Sequence, residues 1–597
     1  MNLTLFQVFL LLRNMGIPHL KRNLEPYAER GAIAPCNVVV DGPALAYHVL
    51  SLASRTTIKI SPFEQPSYEL LGRTAIQWLE KMEECGLTIA HIYFDGYLPT
   101  SKRPERMQRL IRSTKELFKY HSTTVTGVSR ERSRRKGEKK VELFPASIGG
   151  ETRSKPPPPA FLVPAVLDAL RGSKYGPITE VMGGEADGYC AVHVRKSGGL
   201  VLTSDSDLLV HDLGENGGVI FFTDIDLDSE NIKLVAPQFR HAEICRKLSI
   251  KPDVGFSYMA FEISADPHLT LEQAAERSRR GEAVMYSREE YDSFIKTYLL
   301  PETAPKTVAI CGLQLDPRIS ELVLRYLQIT TTASKEKGAS LEIFLPFLLD
   351  CPSRTSAWEV SKPIRKLAYS LLQSGQKTSL KTVSEMRRLQ TLSSGSQVDI
   401  LPSSKVEEEC NHLLSNIGKI KAHITDPELL WVVLSIYLDI DRTVERAKGY
   451  PLSLEILTQE ARGKLNEYSW DVLQVFAQVQ ATFYSLRMLE QILNLQERKG
   501  NAVDGITALS DLPSLDKFLS LADFTETLQR LREAGGLECL IDLCSDMKDM
   551  IPHIEAIGKP PKSNKDRKRK AQPGVVEGHQ VRARPSNPFE LLNSRDD

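Results

Sequence analysis

Residues 199–210, GLVLTSDSDLLV, set a run of apolar side chains directly against two carboxylates, Asp205 and Asp207. A strand of a parallel sheet is buried on both faces, so it reads as a continuous apolar run rather than an alternation. The same grammar recurs at VVVDG, which ends on Asp41, and at IYFDG, which ends on Asp95. A fourth block, GGEADGYC, carries Glu185 and Asp187 at what reads as a helix start, where the N-terminal dipole favours acids. A fifth, ISADP, adds Asp266. In open α/β sheets the ligand crevice lies beyond the carboxyl ends of the strands. The strands are therefore expected to bring their acids together at one edge of one sheet. Taken singly, an Asp at a strand end is more often a helix cap or a turn former. As a set they point to a metal centre, because crowded carboxylates repel one another unless hard cations lie between them.

The surroundings of these blocks give the fold class. NVVVDG and LTIAHIYFDG read as strands, PALAYHVLSLAS and YELLGRTAIQWLEKMEECG as helices, and the alternation predicts a parallel sheet with right-handed crossovers. The pattern resumes after KPPPP, with AFLVPAVLDALRGS and YCAVHVRKSG as helices and ITEVM, GLVLTSDSD and GGVIFFTDID as strands. From about residue 235 apolar spacings of three and four dominate, including SLEIFLPFLLD, DPELLWVVLSIYLDI and the long stretch from Ser469. The expected architecture is α/β: a parallel-sheet domain followed by a mostly α-helical region. The expected divisions are 1–14 (an extension), 15–100 and 161–270 (the two parts of the α/β domain), 101–160 (a basic helix and a Pro-rich insert), 271–557 (helical) and 558–597 (a disordered basic tail), with linkers at 331–340 and 393–404.

The 597 residues suffice for several domains, and 41% hydrophobic content marks a globular chain. Charge balances at 76 basic against 76 acidic residues, but residues 101–140 hold fourteen Lys and Arg against four Asp and Glu, an excess suited to phosphate. Arg130, Arg132, Arg134, Arg135 and Lys136 carry much of it. The nine cysteines form no CxxC pair, which argues against a zinc ribbon or a disulfide framework and for a reduced, intracellular setting. No run approaches the roughly 20 apolar residues that span a bilayer. The N-terminal stretch lacks the basic segment and the cleavage site of a signal peptide. KPPKSNKDRKRK at 559–570 has the composition of a nuclear localisation signal, which sets nuclear residence, or otherwise cytoplasmic, as the expectation.

MGIPHL at Met15, VVVDGPALAY, IYFDGYLPTSKRPERMQR, GGEADGYCAV and VLTSDSDLLV together resemble the XPG/flap-endonuclease superfamily, and most closely its Asteroid branch, over residues 15 to 270. The resemblance implies a PIN-like nuclease fold and two Mg2+ or Mn2+ ions held by Asp41, Asp95, Glu185, Asp187, Asp205 and Asp207. Asp266 falls where the family has a Gly-small-Asp-Tyr block, but the glycine and the tyrosine are missing here. Lys102 and Arg109, seven and fourteen residues after Asp95, match the family's catalytic cations. Gly16 matches the family's N-terminal glycine, near bound DNA. Tyr47 matches an aromatic that stacks on a terminal base; a plain helix-core tyrosine is the alternative. The fourteen residues before Met15 read as a gene-model extension or, if translated, as an obstruction to the substrate path. The family's glycine-rich duplex grip after Asp266 is not visible.

Two functions are therefore expected to compete. One is a structure-selective, metal-dependent endonuclease on flap, branched or end-bearing nucleic acid, DNA more than RNA, in repair or processing. The other is a nuclease-like scaffold that binds nucleic acid or a protein partner through its helical half without turnover.

Overall fold

The computed structural model describes residues 17, 19–33, 35–56, 63–124, 141–145, 157–228, 230, 233–251, 255–266, 268–280, 288–298, 314–332, 341–373, 380–388, 395–447, 449–498 and 506–559. Gly16, the basic residues 130–136, positions 1–14 and the tail from 560 lie outside them.

Eight strands form the main sheet: β1 (Glu29–Ala32), β2 (Cys36–Asp41), β3 (Leu87–Asp95), β4 (Thr179–Met182), β5 (Gly199–Thr203), β6 (Gly217–Phe221), β7 (Asp226–Asp228) and β8 (Lys233–Arg240). The order is β1-β8-β6-β5-β2-β3-β4, with β7 on β8. The central five strands are parallel, and β8 runs antiparallel to β6, β1 and β7. The chain leaves β2 towards β3 and β4, then returns to place β5 on the other side of β2. The gap between the carboxyl ends of β2 and β5 is thus the topological switch point, where crevices form in such sheets.

Successive side chains alternate between the faces of a strand. Val38, Val40, Leu200 and Leu202 pack against Leu45, Val49, Leu71 and Trp78 of the helices Gly42–Thr56 and Tyr68–Glu84. Val39 and Val201 face the other way, against Cys190, Ala191 and Val194 of the helix Ala186–Ser197. The Tyr68–Glu84 helix is capped by Ser67, whose hydroxyl accepts the Leu70 N–H at 3.1 Å, and it stops at Gly86, which takes the left-handed φ of 89°.

The helical half does not stand apart. Most of its buried apolar side chains between Ile319 and Ile557 belong to the same apolar cluster as the helical face of the main sheet. The 29-residue helix Trp470–Arg498 is the main seam. Tyr484 stacks on Phe161 with ring centroids 5.2 Å apart, Gln480 donates to the Tyr68 hydroxyl at 3.2 Å, and Arg487 pairs with Asp168 at 2.8 Å.

The sequence expectations need four corrections here. First, residues 233–240 form β8, because KLVAPQFR pairs with β6 before helices take over. Second, the region 271–557 is not purely helical. A three-stranded sheet, β9 (Leu341–Phe344), β10 (Thr382–Met386) and β11 (Ser396–Asp399), sits within it in the order β11-β10-β9. SLEIFLPFLLD thus supplies β9 and extended chain instead of a helix, because Leu341 and Ile343 pair with β10 and enter the core. Third, the expected linker at 393–404 contains β11 and the first turn of the helix Ser403–His423. Fourth, the basic tail expected from 558 begins after the helix Ile551–Gly558, whose Ile554 and Ile557 are buried.

The small sheet is locked to the long helix by one fully buried ion pair. Arg365 donates to both oxygens of Glu385, at 2.6 and 2.9 Å, and also to the Ser485 hydroxyl at 3.1 Å, while Tyr369 donates to Glu385 at 3.0 Å. Removing one member of such a pair strands a buried charge. Glu385→Ala is expected to cost about 3–5 kcal/mol of stability, read as a lower denaturant midpoint.

Candidate active site

Each acid is delivered by a different piece of the sheet edge. Asp41 ends β2 and is buried. One of its oxygens accepts the Ala44 N–H at 3.2 Å and the other accepts the Thr203 hydroxyl at 2.6 Å. Thr203, the last residue of β5, also accepts the Asp205 N–H at 2.9 Å, so a single hydroxyl ties β2 to the DSD turn. Asp95 ends β3 and accepts the Ala186 N–H at 2.7 Å, which fixes the start of the helix Ala186–Ser197. Glu185 is the residue immediately before that helix and Asp187 lies in its first turn, as the EAD spacing implied. Asp205 accepts the Asp207 N–H at 2.9 Å, and Asp207 accepts the Ile17 N–H at 3.2 Å.

The glycine after each of the first two acids is dictated by packing. A Cβ on Gly42 would lie 2.5 Å from the Phe94 ring, and one on Gly96 would lie 2.2 Å from the Met182 carbonyl oxygen. The DG pairs of VVVDG and IYFDG therefore let neighbouring strand ends close together.

Electrostatics register the crowding. Desolvation raises the pKa of Asp41 to about 7, opposed by the Thr203 hydrogen bond and reinforced by Asp95. Asp187 is pushed well above the ordinary carboxylate range by desolvation and then by Asp41, Asp205, Asp95 and Glu185. Asp207 rises to about 6 through desolvation and the charge of Asp205. Desolvation also raises Asp95 and Glu185, the latter moderated by Lys102. Lys102 stands 3.5 Å from Glu185. Burial alone would weaken its hold on its proton, but Glu185, Glu105, Asp207 and Asp187 together keep its pKa above the usual value.

Six of the seven predicted acids are thus linked by geometry or charge. Asp266 has a different setting: it follows the helix Gly255–Ala265 and accepts the His268 N–H at 3.0 Å, closing the turn into the helix Leu271–Arg280. That local capping occupies the carboxylate. Arg109 pairs with Glu105 one turn earlier on its own helix and is 61% exposed. The buried arginine of that helix is Arg106, which is bound to Glu321 at 2.9 Å. Tyr47 is 53% exposed, which removes the helix-core alternative.

A cavity of about 200 Å³ opens beside the cluster, lined in part by Lys102, Glu185, Asp187, Asp207, His211 and Tyr298. His211 and Tyr298 were not singled out from the sequence, and neither was Thr203. Desolvation, with His241 and Lys102 nearby, holds His211 at about 4 and hence neutral near pH 7. Among the described residues no three His, Cys, Asp or Glu side chains stand close enough together to chelate one ion. The donor chemistry nevertheless fits a hard divalent cation: the acids are all-oxygen, desolvated and mutually repelling, and a cation relieves that repulsion.

Residues 158–400 match the family described as XPG domain containing. That stretch is similar to an XPG domain. The match holds Glu185, Asp187, Asp205 and Asp207, whereas Asp41, Asp95 and Lys102 lie N-terminal to it. A curated relative, Asteroid homolog 1 of Schizosaccharomyces pombe (strain 972 / ATCC 24843), is 24% identical over 377 residues, which is 60% of this chain and 60% of the relative's own length. Both findings bear out the XPG-like, Asteroid-type resemblance of the motif blocks. No described helix is long and apolar enough to cross a membrane.

The raised carboxylates make the stability of the fold pH-dependent. A carboxyl whose folded pKa is raised stabilises the fold at low pH and loses that contribution as pH rises through the folded value. For Asp207 the window is from about 4 to about 6. In chelator at pH 7.5, Asp207→Asn, which keeps an oxygen for the Ile17 N–H, is expected to be more stable than the parent by about 1–2 kcal/mol. The advantage should vanish below pH 4 or so, and equal denaturation midpoints at both pH values would contradict it.

Proposed function

We propose that the chain is a divalent-metal-dependent phosphodiesterase that cuts structured nucleic acid. The supporting observation is the electrostatic one: Asp41, Asp95, Glu185, Asp187, Asp205 and Asp207 lie along one sheet edge although desolvation and mutual repulsion raise the protonation of five of them. A site without cations has no physical need of such crowding. These six acids would hold two Mg2+ or Mn2+ ions, which supply an activated water and neutralise charge on the reacting phosphate.

The chain's own residues take the remaining roles. Lys102, kept protonated by the acids around it, would contact the phosphate oxygens from the start of the basic helix Arg103–Thr123. Tyr47 offers an exposed ring on the helix that follows Asp41, suited to stacking on an unpaired base. The basic stretch 101–140 would draw the strand in. Arg109 would need to leave Glu105 to take part. We favour DNA flaps, branches or ends as substrate, in repair or processing, with nuclear residence set by the basic run at 559–570.

A second reading, a scaffold without turnover, draws on two observations. The carboxylates as they stand do not converge on one point, and both oxygens of Asp207 are engaged, one by the Ile17 N–H and one by the Tyr298 hydroxyl at 3.5 Å.

Purified protein offered a labelled 5′-flap DNA and a matched single-stranded RNA, with Mg2+ or Mn2+, decides between the two. Cleavage is expected from the parent and not from Asp205→Ala, and Lys102→Ala should slow it by about 10²–10³. Parent activity no higher than that of Asp205→Ala, with the protein folded, would favour the scaffold.

A further inference from the structure

The cavity beside the acids has a wall that the proposed metal chemistry does not use. His211 is 7% exposed, lines the cavity, and its Nδ1 is buried without a hydrogen-bond partner. Buried polar atoms are rarely left unpaired, so an unpartnered one on a residue that lines a cavity marks a place where a ligand can complete the bonding. The Tyr298 ring meets the His211 ring edge-on at 5.5 Å, and its hydroxyl reaches Asp207 at only 3.5 Å, a long bond that leaves it easily re-aimed. The 12-residue helix Ala186–Ser197 begins at the same cavity, with Gly184 and Glu185 at its mouth. The Ala186 N–H at that helix start already goes to Asp95, so side chains have to supply the donors for a ligand. Lys102 supplies the cation of the lining.

We propose that His211 and Tyr298 hold one phosphate group of a nucleic-acid strand in this cavity. The inference rests on the nucleic-acid reading above and deepens it. With divalent cations beside them the acids are ionised, and an ionised carboxylate accepts but does not donate, so they cannot then serve as hydrogen-bond donors to phosphate oxygens. His211, as a neutral ring, and Tyr298 each bring one donor to the cavity. A space of about 200 Å³ admits a phosphate and part of its sugar but no base pair. The group held is therefore on an unpaired stretch of strand, and it is either a terminal phosphate or an internal one. Three carboxylates, Glu185, Asp187 and Asp207, share the lining, so entry requires divalent cations to be present.

Binding to the full chain in Ca2+, which lets the strand bind while substituting for Mg2+, is measured by fluorescence anisotropy. The probes are two single-stranded DNAs of one sequence, one with a 5′-phosphate and one with a 5′-hydroxyl. His211→Phe and Tyr298→Phe, which keep the aromatic bulk, are each expected to weaken binding about tenfold. Loss of a preference for the 5′-phosphate strand would identify a terminal group, and equal weakening of both strands an internal one; either supports the proposal. Affinities for both strands within about twofold of the parent, or a parent that binds neither strand, would overturn it. Tyr298→Phe removes a single oxygen and decides the matter should His211→Phe fail to fold. Because no turnover is read, the result stands apart from the cleavage assay: a parent that binds without cutting would fail as a nuclease while leaving this site intact.

Discussion

The Thr203 hydroxyl, donating to Asp41 at 2.6 Å and accepting from the Asp205 N–H at 2.9 Å, is the joint on which the site depends. It spans the switch point between β2 and β5, the one place where two parallel strands diverge in their connections. Around it two acids are pinned by an N–H from a distant segment, Asp95 by Ala186 and Asp207 by Ile17, and two by a local one, Asp41 by Ala44 and Asp205 by Asp207. The cluster is therefore assembled only when the whole sheet edge is. Buried like charges work against that assembly, and the large apolar core beneath the sheet offsets them.

What could be read in the sequence follows from this arrangement. VVVDG, IYFDG and LVLTSDSD were legible because a doubly buried strand leaves a continuous apolar run, and because the same acid-at-the-end pattern recurs in all three. EAD was legible through its helix-start context. Asp266 was not: ISADP follows a helix, and its acid closes a local turn. Arg109 matched by spacing, yet a spacing cannot say which side of a helix is free, and Glu105 one turn away claims it. Thr203, His211 and Tyr298 carry no signature in one dimension, since hydroxyls and imidazoles gain their roles from what folds against them. The strands LEIF and TVSEM were missed because four or five residues cannot show a period against long helical neighbours.

The two functional readings share a fold and differ in a few ångströms of side-chain placement. Metal chemistry requires the acids to draw together and Asp207 to exchange its present partners, whereas a scaffold requires neither. Lys102 is compatible with both, since a cation among acids stabilises an empty cluster as well as it would stabilise a phosphate.

The seam along the helix Trp470–Arg498 has a further meaning for how this protein can be divided. Residues 158–400 are recognisable as an XPG-type unit, yet Phe161 stacks on Tyr484, Asp168 accepts from Arg487 and from the Leu515 N–H, and Tyr68 receives Gln480. A chain stopped at 400 would expose an aromatic floor and strand charged partners. The region that carries the family likeness and the region that folds are not the same piece, so the C-terminal helices have to travel with the sheet through any rearrangement of the gene.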